Sequence, residues 1–238
     1  MQKQNSKKQG FTLAEILITL TVIGVVAALT IPTLLQNTNQ AELKAGLKRT
    51  YADLSQATNM IVNDKGGTLV NAFKYDTGGL KDSENLKNAF RDKLSYIKDC
   101  SGDSSYGGTG NGVGAEGCWH STNNWKELNG TPVYTYTTPG LILSNGTLVF
   151  FKNESSGCTL NLSAYGATYT RCAYIDIDVN GFKQPNTMGK DIFEFSLTAN
   201  SLIPAGAQGF FTPETTCIEE STAAGNRGHG CTALYLYQ

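Results

Sequence analysis

The order of hydrophobic and polar positions divides this chain before any residue count is made. Met1 to Gly10 is polar, with Lys3, Lys7 and Lys8 and no acid. From Phe11 to Ile31 the residues are almost all apolar or small. With Pro32 and Leu34-Leu35 the run is long enough to cross a hydrocarbon core of about 30 Å as a helix. Beyond Pro32 the pattern turns amphipathic. Leu43, Leu47, Tyr51, Leu54, Ala57 and Ile61 recur at spacings of three and four, while Lys44, Lys48, Arg49, Asp53 and Gln56 take the other faces. Asn63-Asp64-Lys65-Gly66-Gly67 then stops the helix, with glycines available for a left-handed cap. Helical from Phe11 to about Asn63, this segment would be a rod of about 80 Å at ~1.5 Å per residue. Pro32, which lacks an amide donor, predicts a kink or a local melting of that rod.

A second helix is expected from about Asp82 to Ile97, capped by Asp82 or Ser83, with Leu86, Ala89, Phe90, Leu94 and Ile97 along one face. Residues 101–117 read as a Gly- and Ser-rich loop. Gly112 to Gly117 formally matches a dinucleotide-binding fingerprint, but no strand precedes it and no helix follows. From Thr131 the signals are β. Val133 to Tyr136 has strand propensity, and Leu141 to Phe151 is a hairpin turning on Asn145-Gly146. Further strands are expected near 158–163, 169–179, 192–198 and 232–237. The predicted class is α+β: a long N-terminal helix, half membrane-spanning and half amphipathic, packed on an antiparallel β-sheet head with a second short helix.

Composition narrows the function classes. The 238 residues are 40% hydrophobic and 16% charged, which argues against a disordered chain or a polytopic membrane protein. Nineteen Lys+Arg against 20 Asp+Glu leave a net charge of −1, and Glu42 and Asp53 offset the basic Lys44, Lys48 and Arg49, so no nucleic-acid partner is expected. The two histidines, His120 in a loop beside Trp119 and His229 in a Gly-rich stretch, read as solvated, and no nucleophile–base pair stands out. The three lysines ahead of the apolar run keep residues 1–10 in the cytoplasm and export the rest. A cleaved secretory signal, with Val26-Ala27-Ala28 as its cleavage site, and a plain signal anchor both fit that run. Neither accounts for Glu15, whose carboxylate costs about 2.5–3.5 kcal/mol inside a bilayer.

All six cysteines (Cys100, Cys118, Cys158, Cys172, Cys217, Cys231) lie beyond the apolar segment, on the exported side, where they read as disulfides. Six allow fifteen pairings. Sequence neighbours are preferred: Cys100–Cys118, Cys158–Cys172 and Cys217–Cys231. A loop of about 15 residues closed this way is worth ~3 kcal/mol in the chain-entropy model. Zinc held through Cys118-Trp119-His120 and His229-Gly230-Cys231 matches no common site spacing. In Tyr174 to Gly181, an extended backbone puts Asp176, Asp178 and Asn180 on one face, and Asp-x-Asp-x-Asn-Gly is also how an EF-hand loop begins. Thr187 stands where that loop needs its bidentate Glu, so a true EF-hand is excluded, yet Asp191 could add an oxygen to a looser Ca2+ site. The alternative is a solvated strand face with an Asx-stabilised turn.

Gly10-Phe11-Thr12-Leu13-Ala14-Glu15, with the short basic leader before it and the apolar run after it, resembles the processing site of type IV pilins and type II secretion pseudopilins. The resemblance covers roughly residues 1–60. It implies that a prepilin peptidase cuts after Gly10 and that Phe11 becomes an N-methylated terminus. Glu15 is then the acid of the mature helix, neutralising the Phe11 amine in its own or a neighbouring subunit, and Pro32 falls where many pilins have a helix-loosening proline. The implied organisation is a leader at 1–10, a transmembrane and assembly helix at 11–35, its amphipathic continuation at 36–63 and an extracytoplasmic head at 64–238. The stretch from Gln184 to Phe193 is similar to the late loop of many prepilin-like proteins, and some pseudopilins bind calcium in a comparable loop. The resemblance implies a non-enzymatic subunit whose partners are the peptidase, other pilin subunits and an inner-membrane assembly platform. It would sit first in the inner membrane, N-terminus in the cytoplasm, and then in a filament. The alternatives are a membrane-anchored extracytoplasmic binding module that never polymerises, and a DNA-uptake pilin.

Overall fold

The computed structural model describes residues 11–74, 80–100, 117–120, 124–133, 139–163, 166–218 and 221–237. The leader with Gly10, residues 112–116 of the fingerprint look-alike and residues 134–136 of the expected strand lie outside them. The chain divides into two compact units, Met1–Glu42 and Leu43–Gln238, and helix α1 (Leu13–Asp64, 52 residues) contributes to both. In the first unit α1 runs as α-helix through Pro32, without the local melting that the proline predicts.

In the second unit, Leu47, Leu54, Ala57, Ile61 and Val62 of α1 are buried, as the three-and-four spacing requires. The helix ends in a Schellman motif. Gly67 N–H donates to Val62 O at 2.8 Å and Gly66 N–H to Asn63 O at 3.1 Å, with Gly66 at φ +78°. Helix α2 is Leu80–Arg91, shorter than expected. Its supposed C-terminal turn is strand β1 (Tyr96–Cys100), held by antiparallel pairing to β2 (Gly140–Leu143), and Ile97 is 69% exposed instead of lining a helix face. The buried Lys87 ammonium of α2 meets Glu84 at 2.5 Å and also the Asp99 carboxylate of β1, a clasp that an extended 96–100 makes with α2. Asp82 and Ser83 do not cap α2. They accept hydrogen bonds from Ser156 Oγ (2.6 Å) and Asn153 N–H (3.0 Å), which fix the helix to the end of β3 (Leu148–Asn153).

The main sheet is antiparallel, in the order β1-β2-β3-β6-β7-β8, with β6 at Ala173–Asp178, β7 at Ile192–Leu197 and β8 at Leu202–Pro204. The β2–β3 hairpin forms as expected but not on a two-residue Asn145-Gly146 turn: Gly146 N–H donates to Leu143 O and Leu143 N–H to Thr147 O, both at 2.9 Å, so the loop is Ser144-Asn145-Gly146, with Gly146 at φ +86°. Of the strand expected at 158–163 only β4 (Leu160–Asn161) forms, paired with β5 (Thr170–Arg171). The strand expected at 232–237 is instead helix α4 (Cys231–Tyr237), which follows the short α3 (Pro213–Thr216). Leu234-Tyr235-Leu236-Tyr237 alternates like a strand, but β8 already occupies the edge beside β7, so the segment packs as a helix with Tyr235 edge-on to Phe193.

One sheet face carries Leu141, Val149, Phe151, Ile175, Ile177, Phe193 and Phe195, and Leu47, Leu54 and Ile61 of α1 and Leu86 and Phe90 of α2 cover it. Tyr51 of α1 stacks on Phe195 with ring centroids 5.6 Å apart. The opposite face carries Leu148, Phe150 and Ile192 beneath Trp119, Trp125 and Met188. Both faces are therefore dry, which is why all six residues of β7 are buried. Three disulfides, Cys100–Cys118, Cys158–Cys172 and Cys217–Cys231, join cysteines that are neighbours in sequence. That leaves no thiolate on Cys118 or Cys231 for zinc.

Candidate functional site

The first candidate site is the start of α1. Thr12 is the residue before the helix, and its hydroxyl accepts the Glu15 N–H at 3.3 Å. In return Glu15 Oε2 accepts the Thr12 N–H at 2.7 Å and the Thr12 hydroxyl at 2.8 Å. Thr-x-x-Glu is a reciprocal capping box, a signal present in the sequence that the resemblance overshadowed. It satisfies two amides that an apolar medium could not, and it holds the Glu15 carboxylate at the helix start. Along Leu13–Leu35 the large apolar side chains are all exposed, from 44% at Ile16 to 77% at Leu13, and Phe11 is 86% exposed. The threonines in this stretch do not interrupt its apolar character. Thr19, Thr21 and Thr30 hydroxyls donate back to the carbonyls of Ile16, Leu17 and Val26 at 2.7–2.9 Å. The result is a helix of membrane-spanning length whose apolar surface has no partner among the described residues of its own unit.

The second candidate region is the sheet face opposite α1. Of the four residues expected around calcium, Asp178, Asn180 and Asp191 lie together there and Asp176 lies apart. Asp178 accepts from His120 Nε2 at 2.7 Å and from Asn180 N–H at 3.1 Å, while Asp191 accepts the N–H groups of Thr187 and Asn186 at 2.7 and 2.8 Å. Asp176 lies one pleat away, opposite Glu194. The carboxylates are thus engaged within the protein, and among the described residues no group of three or more His, Cys, Asp or Glu side chains is placed to hold a metal ion. Nor is this a solvated strand face: Asp176 and Asp178 are buried. Burial pushes the Asp178 carboxyl up to about 7, against the opposing His120 hydrogen bond and with help from the nearby Asp191 charge. His120, expected in solvent, is 3% exposed and wedged between Trp119 and Phe182.

Further along the same face lies a charged cluster that the sequence pattern did not reveal. Arg171 pairs with Glu154 at 2.7 Å and Glu194 at 2.9 Å, and Glu194 also meets His229 Nδ1 at 2.8 Å. His229, also expected in solvent, stacks on Phe211 at 4.5 Å. Its position depends on glycine. A Cβ on Gly228 would lie 2.3 Å from Met188 O, and one on Gly189 2.8 Å from Gly228 O, both at positive φ, so only glycines let these two loops meet. Glu194 is fully desolvated, yet His229 and Arg171 keep its carboxyl below the ordinary range. Asp176 has no such partner among the described residues: burial first and the Glu194 charge second push its carboxyl well above the ordinary range. The two carboxyls of this pair are thus pushed in opposite directions, Glu194 down and Asp176 up. The signal available in the sequence was a charge within a strand-forming run, Ile-Phe-Glu-Phe and Ile-Asp-Ile-Asp, which reads equally well as a solvent face.

Asp176, Glu194 and His229 line a cleft of about 410 Å³ together with Trp125, Phe150, Tyr174 and residues of the 127–133 segment. Phe150 and Tyr174 stack at 6.0 Å, and Trp119 buttresses Trp125 edge-on at 6.0 Å.

Residues 5–31 match the family model of the prokaryotic N-terminal methylation motif, the hallmark of type IV pilins and pseudopilins, which are structural subunits. No curated protein and no solved structure matches the chain.

Proposed function

We propose that this chain is a prepilin: cut after Gly10, N-methylated at Phe11, and assembled through α1 into a type IV pilus or a type II secretion pseudopilus. The supporting observation is the methylation motif running directly into a helix whose large apolar side chains are exposed from Leu13 to Leu35. A surface of that size must be covered by lipid or by other helices. Before assembly, residues 1–10 stay cytoplasmic, the apolar stretch spans the inner membrane and the head lies outside. The partners are the prepilin peptidase, an inner-membrane assembly platform and other subunits of the filament.

Glu15 sets the register. The cut frees an amine at Phe11, immediately ahead of the Thr12–Glu15 capping box, and that charge needs a counterion in an apolar surrounding. A buried ion pair of this type contributes little net stability but tolerates few alignments, which suits stacking at a defined axial step. Pro32 leaves the Ala28 carbonyl without its helical donor and is where the helix would yield during packing.

Co-expression with a prepilin peptidase should shorten the chain by its ten-residue leader, and Gly10→Ala should abolish the shift in intact mass. Equal masses with and without peptidase would defeat the proposal. Glu15→Ala should still be cut and yet fail to enter filaments. Normal filaments from that variant would remove its register role while leaving the processing step standing.

A further inference from the structure

We propose that the cleft beside β6 and β7 is a binding site for an uncharged saccharide, independent of the assembly role of α1. Asp176 and Trp125 both line it, and among the described residues the buried Asp176 Oδ1 and Trp125 Nε1 have no hydrogen-bond partner. Asp176 is 5% and Trp125 8% exposed, so neither atom is compensated by bulk water. Leaving such groups unpaired costs about 1–3 kcal/mol each, a cost that a ligand meeting them would remove.

The chemistry of the lining selects the class of ligand. Trp125, Phe150 and Tyr174 present aromatic surface, which suits a flat face of C–H groups. The indole N–H needs an acceptor. The Asp176 Oδ1 needs a donor, so a hydroxyl-bearing ring, which supplies both, satisfies both orphaned groups and an ammonium would satisfy only one. A cation is also disfavoured by what is already present. The Arg171 guanidinium lies 5.2 Å and the Lys152 ammonium 5.8 Å from the Tyr174 ring centroid. Glu194 is neutralised by Arg171 and His229, and Glu127 by Arg227 at 2.6 Å. An anion is disfavoured for the same reason, because Arg227, the arginine on the lining, is held by Glu127. A volume of about 410 Å³ falls within the range of about 300–1,000 Å³ usual for small-molecule sites.

The test uses the full chain in a sugar-free amine-oxide detergent, titrated calorimetrically with maltotriose, cellotriose, mannotriose and chitotriose. At least one should bind with a dissociation constant of roughly 1 mM or tighter. Trp125→Ala and Asp176→Ala should each weaken it at least tenfold. Thr131→Trp, at an exposed residue on the lining, should block binding without lowering the melting temperature, and it keeps the test valid where a core variant fails to fold. No heat from any of the four sugars would overturn the proposal. So would undiminished binding by Thr131→Trp, or a preference for a cationic probe such as N-acetyl-lysine methylamide.

Discussion

The two halves of α1 are one continuous helix built for different surroundings. Between Leu13 and Leu35 the large apolar residues point every way and are exposed, with only the Thr12–Glu15 box marking a preferred start. Between Leu43 and Asp64 apolar residues occupy one stripe, that stripe is buried against the sheet, and glycines stop the helix in a Schellman motif. A helix that is apolar all round has no inside of its own, so its partner must come from outside its unit. An amphipathic helix has already found its partner. The same residue type therefore has a different physical meaning thirty residues along.

Substitutions can break or sharpen that contrast. The largest loss is expected in the head, where Arg171→Ala leaves Glu154 and Glu194 facing each other in a desolvated site; denaturant melts should show a loss of about 3–5 kcal/mol. Leu54→Ala, in the buried stripe, should cost about 2–5 kcal/mol by the same measurement. Leu20→Ala, the identical change in the exposed half, should move the head's stability by less than about 0.5 kcal/mol and appear instead as fewer or shorter filaments. If Leu20→Ala destabilised the head as much as Leu54→Ala, the contrast between the halves would collapse.

A further effect concerns pH. Folded Asp178 takes up its proton near pH 7, whereas in the unfolded chain it does so near 3.9. Between those values the folded state binds more protons, so this group favours folding as pH falls, by at most about 1.4 kcal/mol per unit. His120, Asp191 and the Asn180 amide face the group and set its value. Melting temperature from pH 8 to pH 6 should therefore rise more in the wild-type chain than in Asp178→Asn, because other buried carboxyls contribute to both. Parallel profiles would show that Asp178 takes up no proton on folding.

Where the sequence was legible, the physics was local. Hydrophobic length marked the apolar helix, three-and-four spacing marked its buried continuation, Asn-Gly marked the hairpin, and Gly66-Gly67 the helix stop. Where it misled, a non-local partner decided the outcome. Ile97 continued a helical pattern but pairs in β1, and the alternation at 234–237 lost its strand to β8. Asp176, Asp178, His120 and His229 read as wet because nothing near them in sequence covers them. Their cover comes from far along the chain: His120 meets Asp178, Phe182 packs on His120, Trp125 lies beside Asp176 and Phe211 stacks on His229.

The sequence by itself determined the processing motif, the exposed apolar helix and the alternation that builds a sheet head, because each is a property of a few adjacent turns. Only the tertiary structure decided that the polar face of β6 and β7 is dry, that the Glu194 carboxyl is held down while that of Asp176 is pushed up, and that an aromatic cleft opens beside them. Burial and charge pairing are properties of which segments meet, and one strand's alternation is the same whether water or a tryptophan lies over it.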